Sequence, residues 1–183
     1  MTQPITPGDP AINHVRRRDR AVEDPDWIRD FLRQAPYGVV ATDSDGQPFI
    51  NPLIFAYDDQ SNALYFHTGR AGRIFANLQQ NPRVCFNACR MGRLICAPAA
   101  SSFDVEYDSV VVFGRARVLQ DEAEATAALR LLLDKYFPDI RYGKDYSAIT
   151  PKELTRTAVY RIDIESWSGK RNPYPSDTDS ATP

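Results

Sequence analysis

Residues 62–82 carry the clearest chemistry in the sequence. The apolar run Ala63–Phe66 predicts a short strand, and a helical pattern follows it after one glycine. The hydroxyl of Thr68 and the guanidinium groups of Arg70 and Arg73 lie at this junction, and a spacing of three places the two arginines on one side of the first helical turn. A helix N-terminus supplies free N–H donors and positive potential, while arginine supplies a planar fork of donors. The junction is therefore predicted to bind the phosphate of a cofactor, and an ordinary solvent-exposed turn is the alternative.

His67 is the other candidate for chemistry at this junction. A histidine at the end of a strand can simply bond one ring nitrogen to the backbone, whereas beside a cofactor it can exchange a proton with the substrate. We take His67 as a cofactor-site residue, and its catalytic role as a proton donor is a hypothesis. Trp167 also favours a functional role, because it follows a strand and precedes a glycine and the cations Lys170 and Arg171.

The composition restricts the class of protein. With 183 residues, 43% of them hydrophobic, the chain can bury one core and is expected to form a single domain. Its 22 Lys and Arg against 24 Asp and Glu leave no general positive footprint for nucleic acid. No apolar stretch is long enough to cross a bilayer and the N-terminus does not resemble a secretory signal, so a soluble cytoplasmic protein is expected. Three cysteines and two histidines, at spacings unlike those of a zinc site, predict no metal site.

The hydrophobic pattern predicts the elements that must position these residues. Residues 1–13 and 172–183, rich in Pro and small polar residues, are expected to be flexible tails around one domain at 14–171. Helices are predicted between the capping Asp24 and Pro36, over 70–80, and between the capping Asp121 and Pro138. Strands are predicted at 38–42, 49–57, 63–66, 83–88, 107–119 and 158–166, and a turn at Met91-Gly92 is predicted to lead into 94–97. About six antiparallel strands with outer helices most economically close into a small barrel, because closure removes exposed edges; a seven-stranded sandwich is the alternative.

Two prolines mark the second predicted strand as unusual. Pro48 and Pro52 lack an N–H group, so part of this strand should lie at a sheet edge or a bulge. The main-chain groups left without a neighbour there would suit a planar heteroaromatic ring.

Seven fragments, taken in order, carry a resemblance to a known family. They are Arg-Arg-Arg-Asp-Arg at 16–20, Gly-Val-Val-Ala-Thr-Asp from Gly38, Asn-Pro-Leu-Ile-Phe from Asn51, Leu-Tyr-Phe-His-Thr from Leu64, Asn-Leu-Gln-Gln-Asn-Pro-Arg-Val-Cys-Phe from Asn77, Tyr-Asp-Ser-Val-Val-Val-Phe-Gly-Arg-Ala from Tyr107, and Trp-Ser-Gly-Lys-Arg from Trp167. Over roughly 16–171 the chain resembles the FMN-binding split-barrel superfamily, and within it the pyridoxamine 5′-phosphate oxidase-related proteins grouped with Nim-type 5-nitroimidazole resistance proteins. The resemblance implies a mainly β fold, a six-stranded antiparallel split β-barrel with peripheral helices.

The resemblance also implies a homodimer with FMN in a groove between the subunits. The positions that match cofactor contacts are Pro52, Leu53 and Ile54 along the isoalloxazine ring, His67 and Thr68 beside the ring and ribityl chain, Arg73 at the phosphate, Ser109 and Val110 on a strand that lines the groove, and Trp167 and Lys170 on the C-terminal segment that usually reaches a flavin site, often from the partner subunit. Arg17 and Arg18 match an N-terminal arm that can approach the ligand.

The end of the chain departs from the family. The C-terminal Arg-Leu-x-Pro type signature of true pyridoxine phosphate oxidases is absent, because the chain continues as Asn-Pro-Tyr-Pro-Ser-Asp from Asn172, which argues against vitamin B6 oxidation. The resemblance therefore implies an FMN-dependent oxidoreductase that takes electrons from a reduced nicotinamide and passes them to a small organic acceptor, with a nitroaromatic as one candidate. Two alternatives stay open: a flavin-binding or sensing protein without catalysis, and a split barrel that binds F420, or haem with His67 as the axial ligand.

Overall fold

Eight strands and four α-helices make up most of residues 11–174, the part of the chain that the computed structural model describes. The helices are α1 (Pro25–Gln34), α2 (Arg73–Gln80), α3 (Glu122–Tyr136) and α4 (Pro151–Arg156). The strands are β1 (Ala21–Val22), β2 (Gly38–Ser44), β3 (Gln47–Leu53), β4 (Ala56–Asp58), β5 (Ala63–Gly69), β6 (Arg83–Ile95), β7 (Asp104–Val118) and β8 (Thr157–Asn172). Short 3-10 helices lie at Arg18–Arg20 and Ala100–Ser102.

The predicted flexible tails fall mainly beyond this range. Residues 1–10 and 175–183 lie outside the described residues, so the prediction stays a prediction there. At the described boundaries, the side-chain amide of Asn13 donates to the carbonyl of Trp167 at 3.3 Å, and Asn172 pairs with Tyr107 as the last residue of β8. Contacts with the barrel therefore reach slightly beyond the predicted domain at both ends.

The strands form one antiparallel sheet in the order β3-β2-β6-β7-β8-β5-β4, with β1 added beside β8. The two ends of this path, β3 and β4, are consecutive in the chain and are joined by Ile54 and Phe55. Phe55 packs edge-on against Phe86 of β6, with ring centroids 4.7 Å apart, in a core shared by the strands from both ends of the sheet. Since the described strand ladders include no pairing of β3 with β4, the barrel is closed by a chain connection, as in a split barrel.

The predicted mainly β antiparallel barrel with outer helices is confirmed, and the strand count is eight where six were predicted. The predicted strand at 49–57 divides into β3 and β4, because the chain turns at Ile54 and Phe55 and changes its pairing partner from β2 to β5. β1 has two residues, too few to show an alternating pattern. The turn predicted at Met91 lies within β6, whose pairing with β7 shifts register between Met91 and Leu94.

Both predicted helix caps are observed. The Asp24 carboxylate accepts a hydrogen bond from the backbone N–H of Asp26 at 2.9 Å, and the Asp121 carboxylate accepts one from the N–H of Glu124 at 2.8 Å. Such caps satisfy donors that the first helical turn leaves free. The starts of α1 and α3 are therefore fixed by local sequence.

Strands β5 and β8 are covered on both faces. Inside the barrel, Phe66 of β5 stacks on the fully buried Tyr160 of β8, with ring centroids 4.7 Å apart. On the outside, Tyr65 and Val159 belong to a second apolar cluster with residues of α3 and α4. Successive residues of β5 therefore face different environments, and this alternation decides what His67 and Thr68 can reach.

Lys135 of α3 is half-buried and forms no salt bridge with a carboxylate of residues 11–174, and this makes a testable contribution to the pH dependence of stability. Its Nζ donates to the carbonyl of Leu32 in α1 at 3.3 Å and lies 3.9 Å from the centroid of the Phe55 ring. Burial lowers the pKa of Lys135 from 10.5 to about 8. Between these values the unfolded chain holds a proton that the folded chain has lost, so the Lys135 contribution to the free energy of unfolding rises with pH from about 8 to about 10.5.

We expect the Lys135→Met variant to lack this rise, by an amount on the order of 2 kcal/mol once partial exposure is allowed for. The measurement is urea denaturation of both proteins across this pH range, taken as a difference so that the tyrosines, whose raised pKa values act in the opposite sense, cancel. Lys152→Met, at an exposed position of α4, is the matched control and should follow the wild type. A constant difference between wild type and Lys135→Met at every pH would contradict the assignment.

Candidate functional site

The predicted strand-to-helix junction exists, with different boundaries. β5 continues to Gly69, so His67 and Thr68 are strand residues, and α2 begins only at Arg73. Gly72 precedes the helix with a φ of 118°, a backbone conformation that favours glycine, and no side chain among residues 11–174 caps the first N–H groups of α2. The helix N-terminus therefore keeps donors that an anion could use.

The two arginines of the junction point to different parts of the molecule. Arg70 donates from Nε and Nη2 to the carbonyl of Leu154 in α4, at 3.2 and 3.1 Å. The guanidinium of Arg73 instead lies over the ring of Phe49 in β3, 5.2 Å from its centroid, and no carboxylate in residues 11–174 forms a salt bridge with it. The prediction that Arg70 and Arg73 share one phosphate is therefore not supported: Arg70 holds α4, and Arg73 is available to an anion.

Thr68 lies on the inner face of β5, towards the end of the barrel. Its hydroxyl donates to the carbonyl of Gly69 at 2.9 Å and lies 3.4 Å from the hydroxyl of Tyr160. Burial raises the pKa of Tyr160, so this phenol stays protonated near neutral pH. Thr68 is thus held by a neutral hydroxyl group, five residues before Arg73.

His67 faces the opposite side of β5. It opens on a cavity of about 270 Å³ that is walled mainly by apolar side chains, namely Ile54, Leu129, Leu132, Leu133, Phe137 and Ile149, together with Glu153 and Thr157. Although part of the side chain reaches solvent, burial lowers the pKa of His67, and no hydrogen bond or charge contributes to the shift. No described residue forms a hydrogen bond with the imidazole, so His67 is not tied to the backbone, and its role as a cofactor-site residue stays a prediction.

Tyr136 fixes the chain segment that forms one wall of this cavity. The phenol of Tyr136 accepts from the N–H of the buried Phe55 and donates to its carbonyl, both at 3.1 Å. Ile54, 41% exposed, is thereby held beside His67, while Leu53 packs on the core and Pro52 is exposed on β3. Tyr136 lies near the end of the helix predicted between Asp121 and Pro138, and the sequence gave no signal of this role.

β3 is an edge strand, as Pro48 and Pro52 predicted. It pairs with β2 alone among the described strands, so its other side leaves main-chain groups without a strand neighbour. Proline is compatible with that side because it has no N–H to donate. The edge lies next to Ile54 and the His67 cavity.

A second group of predicted residues lies on β7 and β8. Ser109 pairs with Lys170, and Val112 with Trp167. The side chain of Val110 is fully buried, so Val110 could make its predicted cofactor contact only through its main chain. Lys170 lies 5.7 Å from the centroid of the Tyr107 ring.

These two groups lie at different ends of β8 and face different cavities in one chain. Ala158 of β8 pairs with Thr68, and Lys170, further along the same strand, pairs with Ser109. Trp167 lines a cavity of about 340 Å³ together with Arg18 and Val22, whereas His67 lines the cavity beside Ile54.

The N-terminal arginines have local partners. Arg17 forms a salt bridge with Asp19 at 2.6 Å, and Arg18 forms one with Glu23. Both salt bridges are exposed to solvent, and neither lies at the junction between β5 and α2. Within residues 11–174, no cluster of three or more His, Cys, Asp or Glu side chains could hold a metal ion, and no helix is both long and apolar enough to cross a membrane.

Known proteins resemble this chain in sequence and in fold. The family described as Pyridoxamine 5′-phosphate oxidase matches residues 24–171. The flavocytochrome Anf3 from Azotobacter vinelandii is 28% identical with a TM-score of 0.78, the match covering 93% of this chain and 79% of that one. The FAD and haem binding protein from Mycobacterium smegmatis is 24% identical with a TM-score of 0.74, covering 88% and 79%.

A third solved structure, a candidate 5-nitroimidazole antibiotic resistance protein from Bacteroides thetaiotaomicron, is 24% identical with a TM-score of 0.69, covering 82% of this chain and 86% of that one. A search of curated proteins gave no match. The family match spans most of the chain, and the barrel closed by Ile54 and Phe55 is the fold that the resemblance implied. The chain therefore belongs to the pyridoxamine 5′-phosphate oxidase family, within the FMN-binding split-barrel superfamily.

Proposed function

We propose that this protein binds a flavin and is an FMN-type oxidoreductase that passes electrons to a small organic acceptor. The observation that carries the proposal is the guanidinium of Arg73 at the N-terminus of α2, where no carboxylate and no capping side chain of the described residues binds. An arginine and free N–H donors form a site for a doubly charged phosphate. The flavocytochrome Anf3, similar in fold and 28% identical, supports a flavin as the group that carries this phosphate.

The remaining residues suit the rest of a flavin. The free edge of β3 offers main-chain groups for the polar side of the ring system, and Ile54 offers an apolar contact at its end. Thr68 can turn its hydroxyl from the carbonyl of Gly69 to a phosphate or ribityl oxygen, because Tyr160 is near enough to support it. When bound, the flavin would supply the electron transfer between a reduced nicotinamide and the acceptor. His67 would hold or release a proton at an imidazole nitrogen facing the cavity.

We also propose that the complete site needs a homodimer. The residues Ser109, Trp167 and Lys170 match cofactor contacts in the family, yet lie at the far end of β8 from Thr68. A second copy could supply them to the first copy's flavin. Sedimentation at micromolar concentration tests this, and a monomer that binds flavin with full affinity would contradict it.

A haem in the cavity beside His67 is a second candidate. The cavity is mainly apolar, and its one imidazole is neutral near pH 7, which is the form that ligates iron. If a haem binds there, His67 would hold it while Leu129 and Phe137 pack on its ring. The solved structure of an FAD and haem binding protein, with the same fold, motivates this candidate.

The absorption spectrum of the purified protein, followed by thermal melting with added FMN, tests the flavin proposal. We expect flavin bands, or for colourless protein a rise in Tm of about 5–10 °C at 100 times Kd, since such saturation stabilises by about 2.7 kcal/mol and a chain of this size shifts by about 2–4 °C per kcal/mol. A haem Soret band would support the second candidate, and His67→Ala should then abolish it. Colourless protein with an unchanged Tm would contradict flavin binding. Oxidation of reduced nicotinamide no faster than with free FMN would leave a binding or sensing role.

A further inference from the structure

The His67 cavity offers a ligand two neutral polar groups and one carboxylate, but no cation. Its polar groups are the imidazole of His67 on β5, the hydroxyl of Thr157 at the start of β8, and the carboxylate of Glu153 on α4. No lysine or arginine among residues 11–174 lines it. The proposed function gives the imidazole a role in proton transfer, and the charges around the cavity decide which acceptors can enter.

Glu153 stays ionised at the cavity because local hydrogen bonds hold it in that form. Its Oε2 accepts from the backbone N–H and from the hydroxyl of Thr150, both at 2.7 Å. These bonds lower the pKa of the Glu153 carboxyl below its usual value, so the group is negative near neutral pH. Its other oxygen, Oε1, has no hydrogen-bond partner in the described part of the chain. The cavity therefore carries one fixed negative charge.

The cations around α4 do not compensate this charge inside the cavity. Arg70 reaches α4 through the carbonyl of Leu154, but it lines a different cavity of about 100 Å³ together with Asp121. Lys152 and Arg156 of α4 are exposed and line neither cavity. An anion that entered beside the imidazole would leave water for apolar walls without meeting a positive partner, which is costly for an ionised carboxylate.

The position and size of the cavity suit an acceptor next to the proposed flavin. Ile54 lines the cavity and directly follows Leu53, the last residue of β3, whose free edge was assigned to the ring system. At about 270 Å³ the cavity is near the lower end of the range of ligand pockets, roughly 300–1,000 Å³, so it suits a single substituted aromatic ring. Leu129, Leu133 and Phe137 supply apolar walls for such a ring.

We infer that the His67 cavity takes an uncharged aromatic acceptor and excludes carboxylated analogues, with Glu153 as a specificity-determining residue. The inference rests on the proposed flavin function and names the class of acceptor for it. The imidazole of His67 and the hydroxyl of Thr157 would donate to an oxygen of the acceptor, while the apolar walls hold its ring. Glu153 would repel a negative substituent and attract a positive one.

The test uses three para-substituted nitrobenzenes of similar size as probes of the full chain near neutral pH, namely 4-nitrobenzyl alcohol, 4-nitrobenzoate and 4-nitrobenzylamine. Calorimetric titration of the FMN-loaded protein gives their affinities, and the same titration without flavin gives a second set. We expect the neutral alcohol to bind at least about tenfold more tightly than the anionic benzoate. Leu133→Trp, which fills the cavity, should weaken the alcohol by at least about tenfold, and thermal melting shows whether the variant folds.

Glu153→Gln isolates the effect of the carboxylate, because glutamine also completes a capping box and so preserves α4. Since Glu153 is exposed, its charge should change the affinities only moderately. We expect the benzoate to gain about threefold, the amine to lose about threefold, and the alcohol to stay within about twofold. Glu165→Gln, at an exposed position of β8, removes the same charge away from the cavity and should leave all three affinities unchanged.

The outcomes separate the inference from the proposed function. Equal affinities of the wild type for the alcohol and the benzoate overturn the inference, and so does an alcohol affinity that a folded Leu133→Trp protein keeps. Equal shifts by Glu153→Gln and Glu165→Gln overturn the role of Glu153, because overall charge would then explain them. A haem band in the purified protein would show that another group fills the cavity, and would overturn the acceptor site. Failure to bind FMN overturns the proposed function and the acceptor role, whereas the titrations without flavin still decide the charge preference of the cavity.

Discussion

Replacing Arg73 with glutamine is expected to weaken FMN binding by about 10- to 100-fold while leaving the fold intact. Hydrogen bonds to a charged group contribute about 1.5–3 kcal/mol, which corresponds to this range of affinity. The guanidinium of Arg73 has no carboxylate partner in the described residues and rests on Phe49, so its removal breaks no salt bridge. Titration with FMN and with riboflavin, which lacks the phosphate, measures the effect, and only FMN should lose affinity.

Arg70→Gln is the matched control, because it removes the same charge three residues away. Arg70 donates twice to the carbonyl of Leu154, so its loss should destabilise the α4 region by about 1 kcal/mol and leave the FMN affinity within about twofold. Equal weakening of FMN by both variants would show that overall charge, and not the position of Arg73, attracts the ligand. Equal weakening of FMN and riboflavin by Arg73→Gln would place Arg73 away from the phosphate.

The elements with local signals could be predicted from the sequence. The caps Asp24 and Asp121 satisfy donors within three residues of themselves, so the starts of α1 and α3 needed no knowledge of the fold. A similar signal was missed at α4, where Thr150 and Glu153 form a reciprocal capping box and Pro151 occupies the first turn. Pairing of distant strands has no such signal: β1 binds β8 through Ala21 and Lys170, and no local pattern relates these two residues.

The sequence indicated residue types that suit a cofactor site, but not the directions in which their side chains point. The spacing of Arg70 and Arg73 implied a common side only if both lay in the helix, and α2 begins at Arg73. The partner of Arg70, Leu154, is 84 residues away and so beyond any local argument. The strand was also predicted to end before His67, whereas β5 continues to Gly69. Because side chains alternate between the two faces of a strand, His67 faces the outer cavity and Thr68 the inner face, and the shorter predicted strand did not show this.

Gly114→Ala is expected to destabilise the protein by about 3 kcal/mol or more. Gly114 is buried in β7, where the pairing with β8 shifts register between Phe113 and Gly114. A Cβ added there would lie 2.2 Å from the carbonyl oxygen of Asp163 and 3.1 Å from Ile162 Cγ2. The first contact is with main chain, so relief requires the two strands to separate, whereas a side chain could rotate away.

For a chain of this size the loss corresponds to a fall in Tm of about 6–12 °C, which thermal denaturation followed by circular dichroism would measure. Gly69→Ala is the matched control, since the nearest atom to its added Cβ would be 3.9 Å away, and its Tm should change little. A wild-type Tm for Gly114→Ala would mean that β7 and β8 approach less closely than described. The bulge also lies between the β8 residues that pair with Thr68 and those that pair with Ser109. A bulge strengthens the local twist of a strand, and the register shift at Gly114 lies where β8 passes from one group of predicted flavin contacts to the other.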